Sequence, residues 1–453
     1  AKQRRCMHQR RRARPPRPAA RPNTPSNEPR PISFVSETYL LEEGYSDAMD
    51  YGNASDNQAS APTLPTLGFP EVELGRVIGR GGFSVVNEIR EINLQEVYDT
   101  SIEETSLRAE LAQQCCDEET GFSRYVLKTL RPDLPEEEHT KGVVDLAVEA
   151  RFLATLSHPH IIAMRATSNS DPLESKYFVV LDRLVSTLEE KLILWRKEVG
   201  ASMGVWFGPC VGYCCSKRHV LHKLWLERLL VARDVSSAVL YLHNQDIVYR
   251  DLKPDNVGFN DDGEVKIFDF GLAKRLHPDD KTANDLYLLT GNTGSLRYMA
   301  PEVATGHAYD KRVDAYSFGI LYWQICALAT PYAGYSMKMH ADLVVGKGYR
   351  PKPDPSWPLS WTKLMKDCWA SDIFARPDFA HVLQVLDSEI EDLLHDEGVV
   401  PSRASEIRAK KRKSQRAKAE KVGQRLDVDT RISSLVNNGN DSALEMTKEA
   451  DIV

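Results

Sequence analysis

The sequence predicts an α+β protein with two lobes, a small strand-rich front and a larger helix-rich back. Three observations support this fold class. Strand-like apolar alternation recurs at residues 72–89, 125–130, 161–166 and 177–181. Only one helical apolar stripe, at residues 141–156, interrupts these strands. Beyond Ser186 the apolar spacing becomes mainly helical, with short strands at 257–259 and 265–268. Strands in the first half and helices in the second indicate separate lobes.

Composition limits the class of protein further. Of the 453 residues, 42% are apolar and 27% are charged, which is ordinary for a globular chain and excludes collagen-like or wholly disordered proteins. The most apolar stretch, Ser317–Ala333, contains Gln324 and Pro331, so we expect a core helix there and no membrane span. No secretory signal is recognisable, and the eight cysteines are sparse. The sequence therefore predicts a reducing compartment, the cytoplasm.

Charge is concentrated at the two ends of the chain. Residues 1–31 contain ten Lys or Arg and one Glu, and residues 401–426 contain ten Lys or Arg and two Glu. Because the whole chain carries a formal charge of −7, the part between them is strongly acidic. An acidic body argues against a nucleic-acid-binding core and indicates basic ends that act separately or on acidic partners.

These shifts in composition predict three regions. Residues 1–70 are expected to be disordered, basic and then acidic, although an organelle transit peptide is an alternative for the Arg-rich start. Residues 72–390 form the folded domain, with the first packed element near Val72. Residues 396–453 are expected to be a basic, mostly disordered or loosely helical tail, in which residues 410–413 also fit a nuclear import signal.

Two segments interrupt the folded domain. Residues 91–121 hold nine acidic residues and one Arg with loosely helical apolar spacing, and we expect deletion of this insertion to leave the domain folded. Residues 195–223 lie between two expected helices. They hold a cluster of potential zinc ligands, namely Cys210, Cys214, Cys215, His219 and His222. Since the spacing fits no known zinc finger, an ordinary surface loop is favoured over a zinc site.

Two features of the front lobe suggest phosphate chemistry. The glycine-rich turn at residues 79–86 would bring backbone N–H groups close to phosphates, although such turns are common. Lys128 lies in the strand 125–130, and Glu149 lies beside the helical apolar stripe. A half-buried Glu requires a cation, and Lys128 is the obvious partner.

Three motifs of the back lobe carry convergent polar groups. The first, at residues 249–256, combines acids, an amide and bases with a Pro, which predicts a loop rather than a helix face. The second is Asp269-Phe270-Gly271 after an apolar strand, where the carboxylate suits a metal ion. The third is Ala300-Pro301-Glu302, followed by Asp314 and later by Arg376.

Together, the order and spacing of these motifs over residues 72–390 resemble the eukaryotic protein-kinase signature set. The resemblance implies the two-lobed protein-kinase fold, with one main helix in the small lobe and a helical large lobe. Lys253, two residues after Asp251, resembles serine/threonine kinases, and residues 297–302 resemble their tyrosine-kinase-like group. Two positions depart mildly: Ser84 replaces the third glycine, and Tyr249 replaces a histidine.

The resemblance implies a role for each matching residue. Asp251 would accept the substrate hydroxyl proton and Lys253 would neutralise the γ-phosphate, while Lys128, held by Glu149, would contact the α- and β-phosphates. Asn256 and Asp269 would hold Mg²⁺. The residues expected around ATP are Ile78, Gly79, Arg80, Gly81, Gly82, Phe83, Ser84, Val86, Val126, Lys128, Asp182, Leu184 and Asn256.

The resemblance also implies two structural contacts and leaves alternative functions to be weighed. Glu302 and Arg376 should form an ion pair, and Asp314 should brace the catalytic loop. An active kinase for protein Ser/Thr hydroxyls is favoured over a pseudokinase scaffold because Lys128, Asp251, Asn256 and Asp269 are all present. Dual specificity that includes tyrosine is a further alternative. The sequence does not indicate an oligomeric state.

Regulation is predicted in the segment between Gly271 and Ala300. Arg250 needs an anion, and Thr290 and Thr293 lie nearest the activating position of the family. Their phosphorylation would supply that anion; the alternative is that both threonines only cap turns. Ser295 is assigned instead to bridging the catalytic Asp and Lys.

Overall fold

The computed structural model describes residues 64–95, 101–116, 121–204 and 211–396, with side chains described except at 201–219 and 396. Its strands are β1 Thr66–Leu67, β2 Val72–Arg80, β3 Ser84–Ile92, β4 Tyr125–Leu130, β5 Met164–Ser168, β6 Phe178–Asp182, β7 Ser186–Thr187, β8 Ile247–Val248, β9 Val257–Phe259, β10 Val265–Ile267 and β11 Lys274–Arg275. The first six form one sheet in the order β1-β5-β6-β4-β3-β2, and the others form two small sheets. The large sheet is the small lobe.

The main helices belong mostly to the second lobe. They are α1 Ile102–Gln113, α2 Glu136–Thr155, α3 Leu188–Gly204, α4 Val211–His243, α5 Pro301–Ala304, α6 Arg312–Ala327, α7 Leu359–Cys368 and α8 Phe379–Asp396. One further helical turn, Met337–Met339, continues as a π-helix over His340–Val345. Helices α4, α6, α7 and α8 pack around one apolar core, which includes Tyr316, Phe318 and Phe379. This arrangement confirms the predicted two-lobed α+β fold.

Residues 64–71 adopt defined structure, contrary to the prediction that disorder extends to residue 70. Strand β1 pairs in parallel with β5, Thr66 opposite Thr167, and Leu67 is fully buried. A strand of two residues is too short for an alternation pattern, so sequence periodicity could not reveal it. Residues 1–63 and 397–453, including the proposed import signal, lie outside the described residues.

The acidic insertion contributes to the core of the small lobe. Ser101 caps α1 by accepting a hydrogen bond from the Glu104 N–H at 3.1 Å, and Leu111 and Cys115 are buried against the sheet beside Ile89. The single Arg of the insertion, Arg108, is 6% exposed. The basis for expecting a harmless deletion is therefore wrong, because residues 91–121 include part of β3 and several core side chains.

The second insertion is helical on both sides of its centre. Helix α3 continues to Gly204 and α4 begins at Val211, so the prediction of a surface loop is wrong over these residues. Trp195 is 1% exposed and belongs to the core rather than to an insertion. Among the described helices, none combines the length and apolar character needed to span a membrane.

Candidate active site

A cleft between the lobes encloses a cavity of about 980 Å³. It gathers nearly all the residues that the sequence predicted around a nucleotide. Those in the cavity wall are Ile78, Gly79, Arg80, Gly81, Gly82, Ser84, Val86, Val126, Lys128, Glu149, Asp182, Leu184, Lys253, Asn256 and Asp269. The β2–β3 turn, β4, α2 and the polar loop thus converge on one space of ligand size.

Phe83 is the exception among the predicted nucleotide contacts. Its ring lies 5.4 Å from the Lys141 ammonium on α2, and a Cβ on Gly142 would lie 2.9 Å from the Phe83 Cβ. Its backbone oxygen accepts a hydrogen bond from the Arg131 N–H at 2.9 Å. Phe83 therefore fastens the glycine-rich turn to α2 instead of lining the cavity.

Lys128 connects the two lobes electrostatically. Its Nζ lies 2.5 Å from Glu149 Oε2 on α2 and 3.2 Å from Asp269 Oδ1 in the large lobe. Burial opposes the charge of Lys128, but Asp269 and Glu149 outweigh it and raise the Lys128 pKa above its usual value. Lys128 in turn lowers the pKa of Asp269. The predicted Lys128–Glu149 pair is confirmed, and Lys128 and Asp269 are both charged at neutral pH.

The polar loop places Asp251 at the centre of a hydrogen-bond network. Its Oδ2 accepts from Lys253 Nζ at 2.6 Å and from Asn256 Nδ2 at 2.9 Å, and its Oδ1 accepts from the Ser295 N–H at 2.9 Å. Lys253 Nζ also donates to Ser295 Oγ at 2.9 Å. Ser295 therefore bridges the Asp and the Lys, as the sequence predicted.

Two non-glycine residues of the site have left-handed backbone angles. The φ angle is 70° at Arg250 and 66° at Asp269, a conformation that costs energy and is characteristic of functional sites. Tyr249 stabilises both turns: its hydroxyl donates to the Phe268 backbone oxygen, and its ring packs edge-on at 5.2 Å from that of Phe270. Tyr249 thus fills the position of the usual histidine and packs against Phe270 through an edge-on ring contact.

Two predicted braces of the large lobe are also confirmed. Arg376 donates two hydrogen bonds to the Glu302 carboxylate, at 2.5 Å and 3.0 Å, and the Arg376 side chain is fully buried. Asp314 accepts hydrogen bonds from the backbone N–H groups of Tyr249 and Arg250 at 2.9 Å and 2.8 Å. Both pairs position the segments that carry the site.

The two threonines proposed as regulatory sites are not at the surface. Thr290 and Thr293 are 3% and 4% exposed. Arg250 Nη1 donates to Thr290 Oγ1 at 3.0 Å and to the Tyr309 hydroxyl at 3.3 Å. Arg250 therefore already contacts Thr290 without a phosphate, and the predicted need for an added anion is not supported by this geometry.

Sequence reasoning missed Asp145, one helical turn before Glu149 on α2. A Cβ on Gly271 would lie only 2.1 Å from Asp145 Oδ1, so the absence of a side chain at Gly271 makes room for this carboxylate. Burial, followed by the charge of Asp269, raises the Asp145 pKa to about 7. The available sequence signal was a second acid on the face of α2 that carries Glu149.

The donor set of the cleft fits Mg²⁺. Asp269 offers an ionised carboxylate, and Asn256 uses its amide nitrogen on Asp251, which leaves its amide oxygen for a ligand. Oxygen donors of this kind are those that Mg²⁺ prefers.

The zinc alternative falls largely outside the described side chains. This applies to Cys210, Cys214, Cys215 and His219, whereas His222 hydrogen-bonds through Nε2 to the Leu393 backbone oxygen at 2.8 Å. Elsewhere in the described part of the chain, no group of three or more His, Cys, Asp or Glu side chains is arranged for a metal ion.

Comparison with known proteins agrees with this geometry. The family model of the protein tyrosine and serine/threonine kinases matches residues 72–386, so the chain belongs to this family. It is 29% identical to the serine/threonine/tyrosine-protein kinase HT1 of Arabidopsis thaliana, over 56% of this chain and 57% of the relative. It is also 29% identical to human mitogen-activated protein kinase kinase kinase 11, over 72% of this chain and 32% of the relative.

A second plant relative is the serine/threonine-protein kinase STY17 of Arabidopsis thaliana, 36% identical over 37% of this chain and 28% of the relative. The matches thus span from about a quarter to somewhat over half the length of these three proteins.

Proposed function

We propose that the chain is an active protein serine/threonine kinase that transfers the γ-phosphate of ATP to a protein hydroxyl with Mg²⁺ bound. One observation supports this proposal most strongly: Lys128 Nζ contacts Glu149 and Asp269 simultaneously, at 2.5 Å and 3.2 Å. This contact aligns a phosphate-binding cation from the small lobe with a metal-binding carboxylate from the large lobe. Phosphoryl transfer depends mainly on such positioning and charge neutralisation.

The nucleotide would occupy the cleft below the glycine-rich turn. Gly79 and Gly81 allow the backbone to approach the phosphates, and Val86 and Val126 provide apolar wall for the base. Asp182, the last residue of β6, and Leu184, two residues later, also line the cleft. Asn256 and Asp269 would hold Mg²⁺, which supplies positive charge against the phosphates when bound.

The transfer step follows from the Asp251 network. The acceptor hydroxyl oxygen forms a bond to the γ-phosphorus, the bond to the β-phosphate oxygen breaks, and ADP leaves. The hydroxyl proton passes to the Asp251 carboxylate, and the Lys253 ammonium, 2.6 Å from Asp251, stabilises the charge of the transferred group. The Ser295 N–H holds Asp251 in place for this step.

The chain's cysteines support a reducing compartment such as the cytoplasm. Cys115, Cys326 and Cys368 are free and buried, and burial raises the pKa of all three thiols, to about 12 for Cys326. Because residues 410–413 fit a nuclear import signal, the nucleus is an alternative compartment.

The proposal is tested with labelled ATP, a mixed Ser/Thr/Tyr peptide library and acid hydrolysis of the products. We expect phosphoserine and phosphothreonine. Phosphotyrosine in comparable amount would show dual specificity, and no transfer at all would show a pseudokinase. Lys128→Met should retain less than about a tenth of the rate, because it removes the phosphate anchor. A retained rate would show that Lys128 has no such role.

A further inference from the structure

The cavity continues beyond the catalytic loop into the large lobe. After Ser295, its wall is formed by residues 296–298 and by the region between α6 and the π-helix. The lining of this part of the cavity, called the second arm below, includes Leu296, Arg297, Tyr298, Tyr332, Tyr335 and His340. The arm is thus continuous with the site where the acceptor hydroxyl would lie, and nothing proposed above for the nucleotide uses it.

His340 is an unusual residue in this arm. It is 2% exposed, and neither ring nitrogen has a hydrogen-bond partner among the described residues. Its ring packs edge-on against Tyr332 at 5.3 Å, which fixes its position. Burial, followed by the charges of Arg297 and Arg350, lowers the His340 pKa to about 4. His340 is therefore neutral at pH 7, with one N–H donor available.

Among the other polar side chains of the arm, Tyr298 is paired, whereas the buried Tyr332 hydroxyl, like His340, has no hydrogen-bond partner among the described residues. Tyr298 donates to Gln324 Oε1 at 2.5 Å, and Gln324 Nε2 donates to Glu189 at 3.2 Å. Buried polar groups almost always find a partner, so an unpaired buried imidazole that lines a cavity indicates a missing ligand group.

Arg297 supplies charge to the same arm. It is exposed, lies two residues after Ser295, and forms no ion pair with a carboxylate in the described part of the chain. A guanidinium and a neutral imidazole N–H are both donors, and together they favour a carboxylate. The rings of Tyr332 and Tyr335 provide apolar wall for the carbon chain that would carry it.

We propose that this arm binds an acidic side chain of the protein substrate, one or two residues from the phosphorylated hydroxyl. The proposal rests on the kinase function proposed above. Arg297 follows Ser295 by two residues, and an extended chain advances about 3.3 Å per residue, so we place this carboxylate at Arg297 while the hydroxyl is held at Asp251 and Ser295. The arm is therefore a specificity-determining site for acidic substrate peptides.

The test uses the full chain with Ser peptides that carry Glu, Gln or Lys at each position within two residues of the acceptor. Wild type should phosphorylate one Glu peptide with about tenfold higher kcat/KM than its Gln counterpart, the effect of one charge-assisted hydrogen bond. Arg297→Gln should remove that preference by raising the KM for the Glu peptide rather than by lowering kcat. Arg297→Glu should shift the preference toward the Lys peptide. Arg233→Gln, an arginine paired with Asp387, should keep the preference.

His340→Gln should also weaken the preference for Glu, provided that it unfolds at the same temperature as wild type. If it is less stable, the test rests on the variants of the exposed Arg297. Wild-type transfer to all peptides at similar rates would overturn this inference and leave the kinase function standing. A preference that survives both Arg297 variants would also overturn it. The absence of transfer to any peptide would instead overturn the proposed function on which the inference rests.

Discussion

The backbone N–H of Arg250 donates to Oδ1 of Asp314 at 2.8 Å, from a residue whose φ angle is 70°. The other oxygen, Oδ2, accepts from the Tyr249 N–H and from His243 Nε2, both at 2.9 Å. Asp314 is fully buried, and both oxygens of its carboxylate bind the turn that presents Asp251. The left-handed conformation of Arg250 is thus held by α6, an element outside the catalytic loop.

Replacing Asp314 by Asn should therefore impair both stability and catalysis. The amide keeps one acceptor oxygen and turns an NH₂ group toward a backbone N–H, which leaves a buried donor unpaired at a cost of about 1–3 kcal/mol. We expect a lower free energy of unfolding in urea and a lower kcat. Asp378→Asn is the matched control, because Asp378 is an exposed cap of the His381 N–H and Asn caps as well as Asp. Equal behaviour of the two variants would contradict the brace.

Stability should also depend on pH through Asp145. Its pKa rises from 3.8 to about 7, through burial first and the charge of Asp269 second. Between about pH 4 and pH 7 the folded chain holds a proton that the unfolded chain has lost, so stability falls as pH rises through this window. Unfolding of the metal-free enzyme over this range should show a shallower fall for Asp145→Asn, whereas the exposed Asp262→Asn should not change it. If the free energy of unfolding of Asp145→Asn fell with pH as steeply as that of wild type, Asp145 would not be the origin of this pH dependence.

The sequence predicted the contacts of the site that follow from residue type and local apolar pattern. The Lys128–Glu149 pair was predictable because a Glu beside an apolar stripe needs a cation. The side-chain direction of Phe83 and the burial of Thr290 were not, because both depend on how separate segments pack. The extension of α3 and α4 into the second insertion was hidden because no apolar period continues there.

The insertion between β3 and β4 shows the same limit. Arg108 forms a buried ion pair with Glu71, 37 positions earlier in the chain. Glu71 also accepts from the N–H groups of Gly68 and Gln95, each at 2.7 Å. One Arg in an acidic segment gives no sign of such a distant partner, so the docking of α1 could not be inferred from composition.

Arg108→Leu should consequently destabilise the small lobe. It leaves the Glu71 carboxylate, 3% exposed, without its cation, and breaking a buried pair in this way costs about 3–5 kcal/mol. The control is Arg76→Leu, because Arg76 forms an exposed pair with Glu88 that is worth at most about 1 kcal/mol. Urea unfolding monitors both variants. Similar small losses of stability in the two variants would mean that the packing of α1 does not depend on the Arg108–Glu71 pair.

Activity should not require phosphorylation of the loop that carries Thr290. Arg250 Nη1 already donates to Thr290 Oγ1 at 3.0 Å, so phosphatase treatment should leave the rate within about twofold of the untreated enzyme. Thr290→Val should lower kcat about tenfold, since it removes an acceptor from the half-buried Arg250 guanidinium.

The matched control is Thr293→Val, because Thr293 is equally buried but donates its hydroxyl hydrogen to the backbone oxygens of Thr290 and Gly291. We expect a smaller effect on kcat from this variant. Loss of activity after phosphatase treatment would show that Arg250 needs a phosphate after all.

The most direct test of the account compares wild type with Asp251→Asn in the rate of phosphate transfer and in ATP affinity. Because Asp251 receives the acceptor proton, kcat should fall by roughly 10²–10⁴. The dissociation constant for ATP should stay within about threefold, since Lys128 and Asp269 remain paired. Wild type without transfer, Asp251→Asn with a retained rate, or a loss explained wholly by weaker ATP binding would each contradict the assignment of Asp251 as the base of an active kinase.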